Sequence, residues 1–117
     1  MTGEPVPEYF GKRVLVVGAA RSGIASAAFL LARGARVVLT DVKTADELAL
    51  PLAGLRTLAC APDKLVTEMG GHRPESFRSC DLVVVSPGVP LTHACFEESR
   101  QAGIPILAEV ELASRHL

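Results

Sequence analysis

Apolar and polar positions along the chain fall into blocks that switch between two periods. Val14, Leu15, Val16 and Val17 are four apolar residues in a row. Such a run fits a strand covered on both faces, as in a parallel sheet, and predicts a first strand over Arg13–Val17. Residues 22–33 then show helical spacing, with Ile24, Ala27, Ala28 and Leu31 on the expected inner face. The alanines permit close approach to a sheet, and Gly34 suits the C-terminal cap. A second strand is expected over residues 36–40, with Asp41 at its carboxyl end. The pattern weakens after that. Residues 45–50 suit a short helix that Pro51 stops or kinks.

Two runs compete for the third strand, residues 56–60 and Leu65–Met69. The second is preferred because Gly70 and Gly71 close it. Residues 74–79 suit one or two helical turns, and Leu82–Val85 is another continuous apolar run, ended by the turn Ser86-Pro87-Gly88-Val89-Pro90. Thr92 is a suitable N-cap for a helix over residues 93–102, which Gly103 ends. A short fifth strand over residues 104–107 and a last helix over residues 109–116 complete the pattern. Residues 1–11 read as a flexible leader, with Tyr9 and Phe10 placed to pack near the first strand, and residues 12–117 as one domain.

Strands alternating with helices through short loops predict an α/β domain, a Rossmann-like parallel sheet of about five strands flanked by helices, with right-handed crossovers. Ligands of such sheets bind outside the carboxyl ends of the strands, where the strand order reverses. That rule puts three loops on one rim: Gly18 to Gly23, Asp41 to Lys43, and Ser86 to Gly88.

Composition narrows the options. The chain has 117 residues, of which 49% are apolar but only 4% aromatic, so its core must be aliphatic. The formal net charge of −1 gives no bulk attraction to nucleic acid or to an anionic membrane. No apolar run approaches the roughly 20 residues needed to span a bilayer. Cys60, Cys80 and Cys95 are widely spaced and odd in number, which favours reduced, buried thiols of a cytoplasmic protein over a metal site or a disulfide framework.

The first rim loop reads Gly18-Ala19-Ala20-Arg21-Ser22-Gly23, close to a G-x-G-x-x-G fingerprint with Ala20 in the middle position. Free amides at the start of the following helix favour an anion, Ser22 adds a hydroxyl, and Arg21 adds a charge partner for phosphate. Asp41 lies about 20 residues beyond Gly18, where an acidic residue grips a ribose in nicotinamide sites, but a carboxylate there equally accepts from a base edge. Lys43 is either a ligand contact or an ordinary surface lysine. In Ser86-Pro87-Gly88, Pro87 fixes one φ while Gly88 is free to take a positive one. His72, His93 and His116 show no ligand spacing and read as surface or capping residues; Glu109 and Glu111 read as first-turn acids that complement a helix dipole. There is no Gly-Lys-Ser/Thr phosphate loop, so ATP chemistry has no visible home in this sequence.

Taken together, the turn after the first strand, Asp41 after the second, Gly70-Gly71-His72, the run Val83 to Pro90, Gly103-Ile104-Pro105 and Glu109-Val110-Glu111-Leu112 resemble the N-terminal domain of the Mur ligase family, in its D-glutamate-adding MurD branch. The resemblance covers residues 12–115. It implies a cytoplasmic step of peptidoglycan synthesis, in which ATP phosphorylates the carboxylate of UDP-MurNAc-L-alanine and D-glutamate attacks the acyl phosphate. It further implies that this domain holds the UDP part of that substrate and is not catalytic alone. Arg21, Ser22 and Gly23 would face the diphosphate, Asp41, Val42 and Lys43 would line the uracil, and Ser86, Pro87 and Gly88 would close over the nucleotide. ATP and magnesium would belong to a second domain, and D-glutamate largely to a third, neither within these 117 residues; those domains are the expected partners, with no cofactor, nucleic acid or membrane bound by this one. The competing expectation is an NAD-binding domain of an oxidoreductase, which leaves Ser86 to Pro90 unexplained.

Overall fold

A computed structural model describes residues 8–59 and 62–116. Five parallel strands, β1 (Arg13–Val17), β2 (Arg36–Asp41), β3 (Leu65–Met69), β4 (Leu82–Val85) and β5 (Ile106–Ala108), form one sheet in the order β3-β2-β1-β4-β5. The order reverses between β1 and β4, which pair in parallel from Val14 against Leu82 to Val17 against Val85. Among the described residues five α-helices connect or follow the strands: α1 (Arg21–Ala32), α2 (Ala49–Ala59), α3 (Pro74–Arg78), α4 (Cys95–Gln101) and α5 (Glu109–Arg115).

The apolar run of β1 is shared between two cores. Val14 and Val16 enter one with Ala27, Leu30, Leu52, Leu55 and Leu112, from α1, α2 and α5. Leu15 and Val17 enter the other with Phe77 and Phe96, from α3 and α4. This is the period of two that a pleated strand imposes, here with both faces buried. Phe77 and Phe96 are fully buried and meet edge to face with ring centroids 5.4 Å apart, so a nearly non-aromatic chain places two of its few rings where their area counts most.

The expected Leu65–Met69 strand is the observed β3, and residues 56–59 belong to α2 instead. Three local expectations are corrected. Residues 45–48 are turn, and the helix begins at Ala49. Pro51 therefore sits in its first turn, where the missing N–H would lack an intrahelical acceptor in any case, so it opens the helix and does not stop it. Thr92 does not cap α4, because residues 91–94 are turn and bend and the N-cap position falls to Ala94. The His93 imidazole takes over, its Nδ1 accepting from the Cys95 amide at 3.2 Å. On α1 the buried set is Gly23, Ser26, Ala27, Leu30 and Leu31, while Ile24 and Ala28 pack half-buried at its margin.

Of the expected leader, residues 1–7 lie outside the described residues, as does Cys60. Residues 8–11 form a turn in which the Gly11 amide donates to the Gly34 carbonyl. Tyr9 is buried, its hydroxyl 2.8 Å from His116 Nε2 and its ring edge-on to Phe29, whereas Phe10 is exposed. Cys95 is buried and Cys80 half-buried; both are free, and burial raises the Cys80 thiol to about 11. No described helix is long and apolar enough to cross a membrane.

Candidate functional site

The carboxyl ends of β1, β2 and β4 are tied to one another by backbone geometry. Gly18 has a φ of 105°, a conformation that glycine adopts freely. A Cβ added there would stand 2.7 Å from Ser86 Oγ. Gly23, in the first turn of α1, is tighter still, since its added Cβ would lie 1.8 Å from the Gly18 carbonyl oxygen. Ser86 is buried and its hydroxyl donates to the Gly18 carbonyl at 3.4 Å. Both ends of the fingerprint are thus glycine because the chain packs on itself there. Ala20 in the middle position is exposed, and it leaves the outer face of the turn open.

Asp41 supplies the second tie. Its Oδ2 accepts from the Ala19 amide at 2.6 Å, and its Oδ1 from the Lys43 amide at 2.8 Å. One carboxylate therefore fixes the turn after β1 and the start of its own loop. The Lys43 carbonyl in turn accepts from Gly70, and the Asp41 carbonyl from Gly71, which brings the end of β3 into the same rim. The side chains of Val42, Lys43 and Arg21 are exposed, as are Pro87 and Gly88. Gly88 does not use the positive φ open to it. All three predicted loops share one rim, but Asp41 and Ser86 are engaged within the protein to a degree that spacing does not reveal.

Two residues read as bland from sequence lie at this rim. His72 is half-buried, its Nδ1 2.7 Å from Thr40 Oγ1 and its ring 5.1 Å from that of His93. Burial, reinforced by His93, lowers its pKa from 6.5 against the opposing pull of Asp41 and Glu68. Folded protein then binds fewer protons than unfolded chain as pH falls through and below 6.5, so acid in that window favours unfolding. Urea midpoints at pH 7.5 and pH 5 should differ less in His72→Gln than in the parent; an equal difference in both would show that His72 does not carry the effect.

Glu109 opens α5 and is buried. The Ser22 hydroxyl donates to its Oε1 at 3.1 Å, linking the first turns of α1 and α5. Its Oε2 has no partner among the described residues. Beside this pair, a cleft of about 490 Å³ runs between the two helices. Neither residue is predicted to meet the other, because nothing local in the sequence brings positions 22 and 109 together. Among the described residues no three His, Cys, Asp or Glu side chains cluster as a metal site would require.

Residues 12–108 match the model of the Mur ligase MurD-like N-terminal domain. The chain is 44% identical over 110 residues to the UDP-N-acetylmuramoylalanine–D-glutamate ligase of Acidobacterium capsulatum, covering 94% of this chain and 23% of that one. It spans under a quarter of the length of the curated relatives it matches. Among solved structures, a pseudomurein peptide ligase type C from Methanothermus fervidus superposes with a TM-score of 0.69 at 14% identity, over 89% of this chain and 20% of that one. Quinate dehydrogenase from Corynebacterium glutamicum, in complex with NAD, superposes at 0.59 with 20% identity, over 92% and 47%. These two likenesses concern the fold alone.

Proposed function

Because this chain belongs to the Mur ligase MurD-like N-terminal domain family, we propose that it is the part of a D-glutamate-adding ligase that holds the UDP moiety of UDP-MurNAc-L-alanine. The observation that carries the reading is the rim itself: three loops tied together at the point where strand order reverses, with the first turn of α1 at their centre. Amides there have no intrahelical acceptor and carry the positive end of the helix dipole, so a diphosphate is the anion they suit.

In this reading the backbone amides of Arg21, Ser22 and Gly23 receive the diphosphate, and the exposed Arg21 guanidinium adds charge. The Ser22 proton is directed to Glu109, so its amide and not its hydroxyl faces phosphate. Asp41, Val42 and Lys43 line the uracil. Asp41 already accepts two amides, but an ionised carboxylate has about four acceptor positions and can also receive a base N–H. Ser86 braces the floor from within, while Pro87 and Gly88 close over the nucleotide. ATP, magnesium and D-glutamate are handled by other domains of the ligase, which are this domain's partners, and the reaction takes place in the cytoplasm. ATP would supply the phosphoryl group that activates the substrate carboxylate; no residue of this chain is assigned to that step.

An NMR titration of the labelled chain with UDP, and separately with NAD, tests the reading. Amide shifts at Ser22, Asp41 and Gly88 with UDP and none with NAD are expected. Shifts with NAD at the same loops would favour a dinucleotide site instead, and no response to millimolar UDP would show that these loops do not bind it unaided. Ser22→Leu should reduce the UDP response at least about tenfold by filling the mouth, a difference of about 1.4 kcal/mol. Unchanged affinity would place the diphosphate elsewhere.

A further inference from the structure

The cleft between α1 and α5 has a polar feature that the nucleotide reading does not use. Its walls are mostly apolar, including Ala25 and Phe29 from α1 and Val110 and Ala113 from α5. Val110 is 68% exposed, although it lies on a helix packed against the domain. Glu109 lines the same cleft, and it is more than nine-tenths buried with Oε2 unpartnered. Ser22 provides a donor to Oε1 only. The ion pairs of the described residues join Arg78 to Glu75 and Glu98, Arg100 to Glu97, and Arg115 to Glu8; none reaches Glu109.

A buried carboxylate oxygen without a donor is costly, and more so when the group is charged. Glu109 lines the cleft, and although Oε2 is itself shielded from solvent, a turn of the carboxylate would present it to a donor arriving there. From the Ser22 end to Phe29, α1 rises about 10 Å, at about 1.5 Å per residue. We propose that this cleft is a binding site for a small amphipathic cation. Its ammonium or amidinium head engages Glu109, and its aryl or alkyl body lies along α1 towards Phe29. The site adjoins the nucleotide mouth, with which it shares Ser22 and Pro87, but the argument for it does not depend on the UDP reading.

The test uses 4-phenylbutylamine and its neutral counterpart 4-phenylbutanol in NMR titrations of the labelled chain. The amine should shift Ala25, Phe29 and Ala113 and bind at least tenfold more tightly than the alcohol. Glu109→Gln should retain a dispersed spectrum and lose that preference, with both ligands binding about equally. Equal affinity of amine and alcohol for the parent, amine shifts confined to other surfaces, or a preference that survives Glu109→Gln would each overturn the proposal. If Glu109→Gln fails to fold, the comparison of amine with alcohol on the parent decides alone.

Discussion

Gly23→Ala is expected to destabilise the domain by about 3 kcal/mol, the upper part of the range for forcing extra atoms into a packed site. The methyl group would meet the Gly18 carbonyl oxygen at 1.8 Å, and the neighbouring Ser86 hydroxyl at 3.1 Å. Neither is the far end of a flexible side chain. Relief requires α1 to lift from the β1 turn, which also pulls on the Ser86 bond to Gly18. For a domain near 100 residues the loss corresponds to a fall in Tm of about 12–24 °C. Gly54→Ala provides the contrast, since nothing lies within 4 Å of its added Cβ and it sits inside α2. Helix propensity alone then predicts a gain of up to about 1 kcal/mol. Urea denaturation of both variants checks the pair. A Gly23→Ala protein as stable as the parent would mean that the turn repacks without strain.

Asp41→Ala should have the second-largest effect, and it should act on shape as well as on affinity. Two amides, of Ala19 and Lys43, lose their shared acceptor. Hydrogen bonds to a charged group are each worth about 1.5–3 kcal/mol, less here because Asp41 is only half-buried and water can replace it in part. A loss of about 2 kcal/mol is expected, with amide shifts at Ala19 and Ala20 even in the absence of ligand. UDP affinity should fall about tenfold or more, equivalent to about 1.4 kcal/mol. Asp41→Asn separates the two roles. Its amide oxygen can still accept one of the two amides, so it should recover part of the stability while remaining poor at gripping a base N–H. If Asp41→Ala binds UDP as the parent does, Asp41 is a structural brace and the uracil is held by other groups.

The strands were legible because a valine or leucine run buried on both faces has few alternative readings. The same holds for the rim, since loops at the carboxyl ends of parallel strands must gather there. Pro51 and Thr92 misled for a shared reason: each is a boundary signal that works at more than one position, and the choice is made by the register of the helix against the core. Leu52 and Leu55, both buried, set that register for α2. Glu109 was opaque on different grounds. An acid in a first helical turn looks the same in sequence whether it faces water or lies against a serine from another helix, and only the packing of α5 on α1 distinguishes them. In sequence His72 reads only as a surface or capping residue, because its partner Thr40 lies 32 residues away on β2, brought near by the closure of Gly71 onto Asp41.

The contact between Tyr9 and His116 joins positions 107 residues apart and makes the described chain nearly a closed ring. Both side chains also pack on Phe29 of α1, so this helix acts as the clasp. Ring closure of this length adds little entropy beyond that of a ring half as long, about 0.6 kcal/mol per doubling. Once the sheet has formed and α5 is seated on its core, the two residues are already close and the clasp can be fastened at small expense. A displacement of α5 would be felt at residue 9 as well as in the core that Leu112 shares with β1, so the two distant ends of the described chain form one mechanical unit.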